Sequence, residues 1–199
     1  ANFSRIEGAE TATEQRLKMA EITTQISSLT LGRIGMKDVL KQGIDRIQAG
    51  YPEFYHAQVF LLDETGRNAQ LVSSTGEAGR ALIQRQHSIG VGSQSVIGQA
   101  TLRNVHVVTS ANDPNTVHKR NELLPDTVVE AAFPLRVGEQ VIGALDLQSK
   151  QDLYLEEDEL LTYQSIANSF ALAIDNVRQF ESAESRVKEN QRLAQQASR

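Results

Sequence analysis

The amino-acid sequence predicts an α+β domain, an antiparallel β-sheet with helices on both faces and long helices at the N- and C-terminal ends. Three observations carry that expectation. Apolar residues recur at helical spacing near both termini, two pairs of short β-rich runs surround turn-forming residues, and a polar, aperiodic stretch separates the pairs. Composition agrees, since 40% of the 199 residues are apolar and 23% are charged, as in a globular chain with its own core.

The elements follow in order. Up to about residue 30, Met19, Ile22, Ile26 and Leu29 recur at spacings of three, four and three, which predicts a helix with a partner-facing seam. A second helix is predicted from Met36 to about Gln48, with Val39, Leu40, Ile44 and Ile47 on one side and Gly50 and Pro52 ending it. The stretch HAQVFLLDETGRNAQLVSS reads as two strands around a turn at Gly66 and Asn68, and VVEAAFPLRVGEQVIGALDLQS as two more around VGEQ. Between the pairs, residues 76–127 form a variable insert. It holds a strand end, a short helix capped at Ser93 or Ser95, a strand at HVVTS and a second short helix through NTVHKRNELL.

After LYLEEDEL the chain continues to its end without Gly or Pro, and the acids there suit the positive end of a helix dipole. Ile166, Phe170, Ala173, Val177, Phe180 and Val187 keep a four-three spacing along this last helix. That seam, with Met19, Ile22, Ile26 and Leu29, predicts a parallel homodimer through the terminal helices. The chain then divides into a signalling and dimerisation helix (1–30), a sensor domain (31–181) and a coiled-coil linker (182–199) to an output domain outside these limits.

Other patterns exclude functions. Cysteine is absent, which removes disulfides, thiolate metal sites and thiol redox chemistry. A net charge of -5 with no Lys/Arg-rich block, and no Trp, argues against a nucleic-acid surface. No apolar run approaches the roughly 18 residues of a spanning helix, so the expected location is cytoplasmic, tethered only by a segment outside these limits. The opening ANFSRIEGAE lacks an initiator Met and reads as a piece of a larger protein. The spacing of His106 and His118 matches no common zinc motif, and IGVGSQSVIG is neither a dinucleotide fingerprint nor a Walker loop. No nucleophile and base stand together in a motif, so neither enzyme activity nor a cofactor is expected.

The segments AAFPLRVGEQVIGALDLQSK and GVGSQSVIGQATLRNVHVV, with Pro134, Gly138 and Gly143 in place, resemble those of a GAF domain, related in plan to PAS domains. The resemblance covers roughly residues 30–181 and implies a sensor of a small molecule in a bacterial histidine kinase or chemoreceptor. Bilin-attaching and methionine sulfoxide reductase members use Cys, and NTVHKRNELLPDT lacks the Phe and Asp-Glu of the cyclic-nucleotide motif. Leu155 stands where the family has a capping Ser or Thr, leaving Asp152 or water to cap the last helix.

On this plan a pocket lies between sheet and insert. Its expected contributors are Gln94, Ser95 and Ile97 from the first short helix, Val108, Thr109 and Asn112 from the next strand and loop, His118 and Asn121 from the second helix, and Phe133 and Asp146 from the sheet. The segment 106–127 is expected to act as its lid. Two other readings stay open. One is a ligand-free relay module whose insert fills its own cavity with Ile97, Leu102, Leu123 and Leu124; the other is a haem sensor using His106 or His118.

Overall fold

The computed structural model describes residues 2–28, 35–116 and 121–197, with side chains from residue 13 onward. Two helices open the chain, α1 (Asn2–Ser28) and α2 (Met36–Gly50). The hairpin β1 (His56–Leu62) and β2 (Asn68–Ser74) follows, then α3 (Gly76–Gln84), β3 (Ser88–Gly90), α4 (Val96–Arg103) and β4 (Val107–Ser110). A second hairpin, β5 (Val129–Val137) and β6 (Gln140–Ser149), leads into α5 (Glu157–Ala197). The strands form one antiparallel sheet in the order β3-β2-β1-β6-β5-β4. The expected α+β architecture is therefore the observed one. Helix α3 was not foreseen, because its GEAGRALIQ offers only Leu82 and Gly79 to the interior, too short a pattern to declare a period.

Strand alternation divides the core in two. Val59, Phe133, Leu135, Leu145 and Leu147 point to the face covered by α1, α2 and α5, where Phe54 and Tyr163 meet edge-on at 5.2 Å. Phe60, Ala69, Leu71, Ala132 and Ala144 point to the other face, beneath Leu82, Val96, Ile97, Ala100 and Leu124 of the insert. Gly43 of α2 packs against the Phe170 ring at a point where a Cβ would overlap it, which lets α2 and α5 approach closely.

Gly143 of β6 faces the Phe60 carbonyl so closely that a Cβ would overlap the backbone of β1. Gly143→Ala should therefore part the two central strands and cost about 3 kcal/mol, the upper range for overpacking, measured by urea unfolding. A loss under about 1 kcal/mol would show that the strands slide apart freely.

The terminal seams pack differently from the sequence expectation. Ile22 and Ile26 of α1 and Ile166, Phe170, Ala173 and Val177 of α5 are buried in this chain's own core, with Met19 packed against it. The seam that suggested a second copy is filled by α1, α2 and the sheet of the same copy. Leu29 lies outside the described residues. Phe180 and Val187 remain exposed, as do Leu161 and Leu172 on the outer side of α5. Every described residue from Arg178 onward is exposed, and the Met36 N–H reaches this part of the helix, donating to Glu181 Oε1 at 3.3 Å.

Capping also differs. The Glu159 carboxylate accepts from the Glu156 backbone N–H at 2.9 Å at the start of α5. Asp152 instead fastens the loop after β4, accepting from Ser110 Oγ at 3.0 Å and from Asn112 Nδ2 at 2.9 Å. Helix α4 is capped as expected, Ser95 Oγ accepting from the Gly98 N–H at 2.9 Å.

Candidate functional site

Between the insert and its face of the sheet lies a cavity of about 650 Å³. Its floor is the pocket-side row of three central strands. Register pairs Gln58 with Asp146 and Asp146 with Ala132, while His56 pairs with Gln148 and Gln148 with Glu130. These side chains alternate with Ala57, Val59, Ala131, Leu145 and Leu147, which face the opposite core. The small Ala132 and Ala144 leave room that larger residues would fill. Leu82, Ile89, Val96, Ile97 and Leu123 supply the apolar walls, and His87, Ser93, Gln94, Ser95 and Asn121 supply polar edges.

The floor is a connected polar network. Gln148 Nε2 donates to Asp146 Oδ2 at 2.8 Å, while Thr127 Oγ1 donates to Gln148 Oε1 at 2.6 Å. The Tyr55 hydroxyl meets Thr127 Oγ1 at 2.6 Å, extending the chain toward the surface. Asp146 is fully buried and Glu130 is 8% exposed. Burial pushes both carboxyls above the ordinary carboxylate range. The neighbouring Asp146 raises Glu130 further, and a hydrogen bond between them lets the pair share a proton. Asp146 Oδ1 is buried without a hydrogen-bond partner.

At the edge of the same floor, His56 contacts Gln58 Nε2 at 2.7 Å, Ser74 Oγ at 3.1 Å and Thr75 Oγ1 at 3.3 Å. Burial lowers its pKa to about 4, so the ring is neutral at physiological pH.

The sequence-predicted site residues separate into groups. Gln94, Ser95, Ile97 and Asn121 line the cavity. Asp146 lies behind Glu130, fully buried, and does not itself line the cavity. Thr109 pairs with Glu130 on the edge strand β4 but does not reach the cavity wall. Val108 points the other way and is exposed, since one residue along a strand reverses the face. Phe133 is also on the wrong side, packed near Tyr163 at 5.7 Å beneath α5. Asn112 is exposed and held by Asp152, away from the cavity. His118 lies outside the described residues, and the described stretches on either side of it are turns. His106 is partly exposed, its ring 6.1 Å from that of Phe133. No cluster of three or more metal-ligating side chains occurs among the described residues.

Gln58, Glu130, Gln148 and His87 were missed by sequence reasoning. A signal existed for three of them: each is a polar residue at an alternate position of a strand whose other positions are apolar. In a sheet buried on both faces such residues mark a polar floor, not a solvent side.

An antiparallel sheet with helices behind it and an inserted segment roofing a cavity in front defines a class of α+β domain. The chain belongs to the GAF domain family, whose model matches residues 34–175. A comparison with curated proteins gives no match. Among solved structures it resembles the GAF domain of a phosphoenolpyruvate-protein phosphotransferase from Coxiella burnetii, at 18% identity and a TM-score of 0.70, covering 83% of this chain and 98% of that one. It also resembles the free methionine-R-sulfoxide reductase from Neisseria meningitidis in complex with its substrate, at 20% identity and a TM-score of 0.65, covering 81% and 90%. A third is the nlh2 GAF domain of A. aeolicus in an inactive state, at 17% identity and a TM-score of 0.63, covering 81% and 98%. At such identities the likeness establishes the fold. No described helix is long and apolar enough to cross a membrane.

Proposed function

We propose that this chain is a sensory module of a bacterial signal-transduction protein of histidine kinase or chemoreceptor type, residing in the cytoplasm. It binds a small molecule in the cavity above Glu130 and Asp146 and passes occupancy to an output domain in the same polypeptide. The observation that carries this reading is the continuity of α5. One unbroken 41-residue helix, about 60 Å long, backs the sheet that floors the cavity and then leaves the globule. Ligand-dependent adjustment of the sheet therefore has a rigid element to move.

The sensor division is assigned to residues 31–181, with 1–30 as the signalling helix and 182–199 as the linker. A second copy pairs with the first along the outer side of α5, through Leu161, Leu172, Phe180 and Val187, since these side chains are otherwise left in water. The role is binding, not catalysis: without cysteine the chain has no thiol chemistry, and the Ser74 and Thr75 hydroxyls that His56 meets lie outside the lining of the cavity. Gln94, Ser95, Ile97 and Asn121 are the roof contacts, and the segment 106–127 is the lid.

A thermal-shift panel of amines, alcohols, carboxylates, amino acids and nucleotides tests the reading. At a ligand concentration one hundred times Kd the mass-action gain is about 2.7 kcal/mol, which moves a domain of this size by several degrees. A panel in which nothing shifts the midpoint, together with a purified chain that carries no bound molecule in native mass spectrometry, would favour the ligand-free relay module.

A further inference from the structure

The floor of the cavity carries one feature that a purely apolar pocket does not need. Glu130 and Asp146 are diagonal neighbours on adjacent strands, joined by a hydrogen bond, and Glu130 stands between Asp146 and the cavity. Burying two carboxyls costs stability unless other groups compensate. The groups around them are arranged as donors to an anion: Gln148 turns its amide N–H to Asp146 Oδ2, and its own carbonyl is satisfied by Thr127. That polarity fixes Asp146 as the acceptor and leaves its Oδ1 buried with no donor. A pair sharing one proton holds one negative charge.

The rest of the wall decides what that charge is for. Arg85 is the one Lys or Arg among the described residues that line the cavity, and it is exposed at the rim. His56 is neutral, and Lys150 is on the surface, bonded to Asp126 at 2.9 Å. Above the floor, Leu82, Ile89, Val96, Ile97 and Leu123 form an apolar side of the wall, and Ser88, Ser93, Gln94, Ser95 and Asn121 a neutral polar one. An acid floor beside an apolar wall fits a molecule with a cationic, hydrogen-bond-donating head and an apolar body. A carboxylate or phosphate brought to the same floor would meet like charge in a medium that screens it poorly.

Resting on the small-molecule reading above, we propose that the ligand is an organic amine whose ammonium group is held by Glu130, with Asp146 behind it sharing the charge, and whose apolar body lies against the insert. The ammonium meets Glu130, the member of the pair that lines the cavity, and balances the one negative charge that the pair shares. The proposal assigns the sign of the ligand's charge and the atoms that read it.

The test is calorimetric titration of the intact chain with 2-phenylethylamine and with butylamine, each beside the alcohol and the carboxylate built on the same body. At least one amine should bind ten times more tightly than both of its counterparts. In the Glu130→Gln and Asp146→Asn variants, which keep shape and hydrogen bonding, that binding should fall at least tenfold without a lower melting temperature. The proposal is overturned if neither amine outbinds its counterparts, or if both variants keep amine affinity. A neutral or anionic ligand found in the thermal-shift panel would then leave the sensory reading standing, whereas an empty panel would remove both.

Discussion

Phe170→Glu should yield a chain with no cooperative unfolding transition, while Phe180→Glu should yield a fully folded one. The two residues share one helix and one heptad-like seam, so sequence alone gives them the same role. Their surroundings differ completely. Phe170 is wholly buried, filling the space that Gly43 leaves in α2, whereas Phe180 is 49% exposed on the projecting part of α5. Removing a buried Phe side chain costs about 3–5 kcal/mol, and the unpaired carboxylate adds several more. Together these match the whole stability of an ordinary domain, about 5–15 kcal/mol. At Phe180 the carboxylate stays in water and should cost under about 0.5 kcal/mol. If copies pair along the outer side of α5, Phe180→Glu should nonetheless convert dimer to monomer in light scattering. Circular dichroism melts of both variants decide the matter, and a folded Phe170→Glu protein would mean that α5 is not packed on α2 as described.

The same contrast explains which parts of the molecule could be read from the sequence. Period and punctuation are local, so Val39, Leu40, Ile44 and Ile47 declare α2, and the turn at Gly66 declares the first hairpin. What a seam packs against is not local. Ile166, Phe170, Ala173 and Val177 look alike whether they face a second copy or α1 and α2, and only the three-dimensional return of the chain chooses the latter. The site divides in the same way. Ser95 and Gln94 were legible because a capped helix after a glycine-rich turn has a signature. Phe133 was misplaced because face assignment along β5 depends on register, and a shift of one residue exchanges Ala132 for Phe133. Asn112 reads as a ligand-facing polar residue until its partner Asp152, forty positions later, is brought beside it.

Replacing the acid pair by amides, Glu130→Gln with Asp146→Asn, should stabilise the protein at slightly alkaline pH and change the sign of its pH dependence. Both carboxyls bind protons more tightly in the folded chain than in the unfolded one, because burial opposes their ionisation. Their contribution is thus complete below the unfolded carboxyl value of about 4 and is lost as pH rises above it. His56 acts oppositely. Its folded value of about 4 lies below the ordinary 6.5, so its contribution is present above 6.5 and is lost as pH falls toward 4. Between those limits the two slopes offset each other in the parent protein. The double variant keeps the His56 slope alone, and its stability should fall steadily from about pH 6.5 to about pH 4. At about pH 8 it should exceed the parent in stability, because only the parent then holds ionised carboxyls in a buried place. Urea unfolding across that range measures both effects, and parallel curves for parent and variant would show that neither carboxyl is perturbed. A gain at pH 8 would mean that the parent floor is less stable than its neutral isostere. The packing of the sheet gives no reason for such a floor, and a cation arriving in the cavity does.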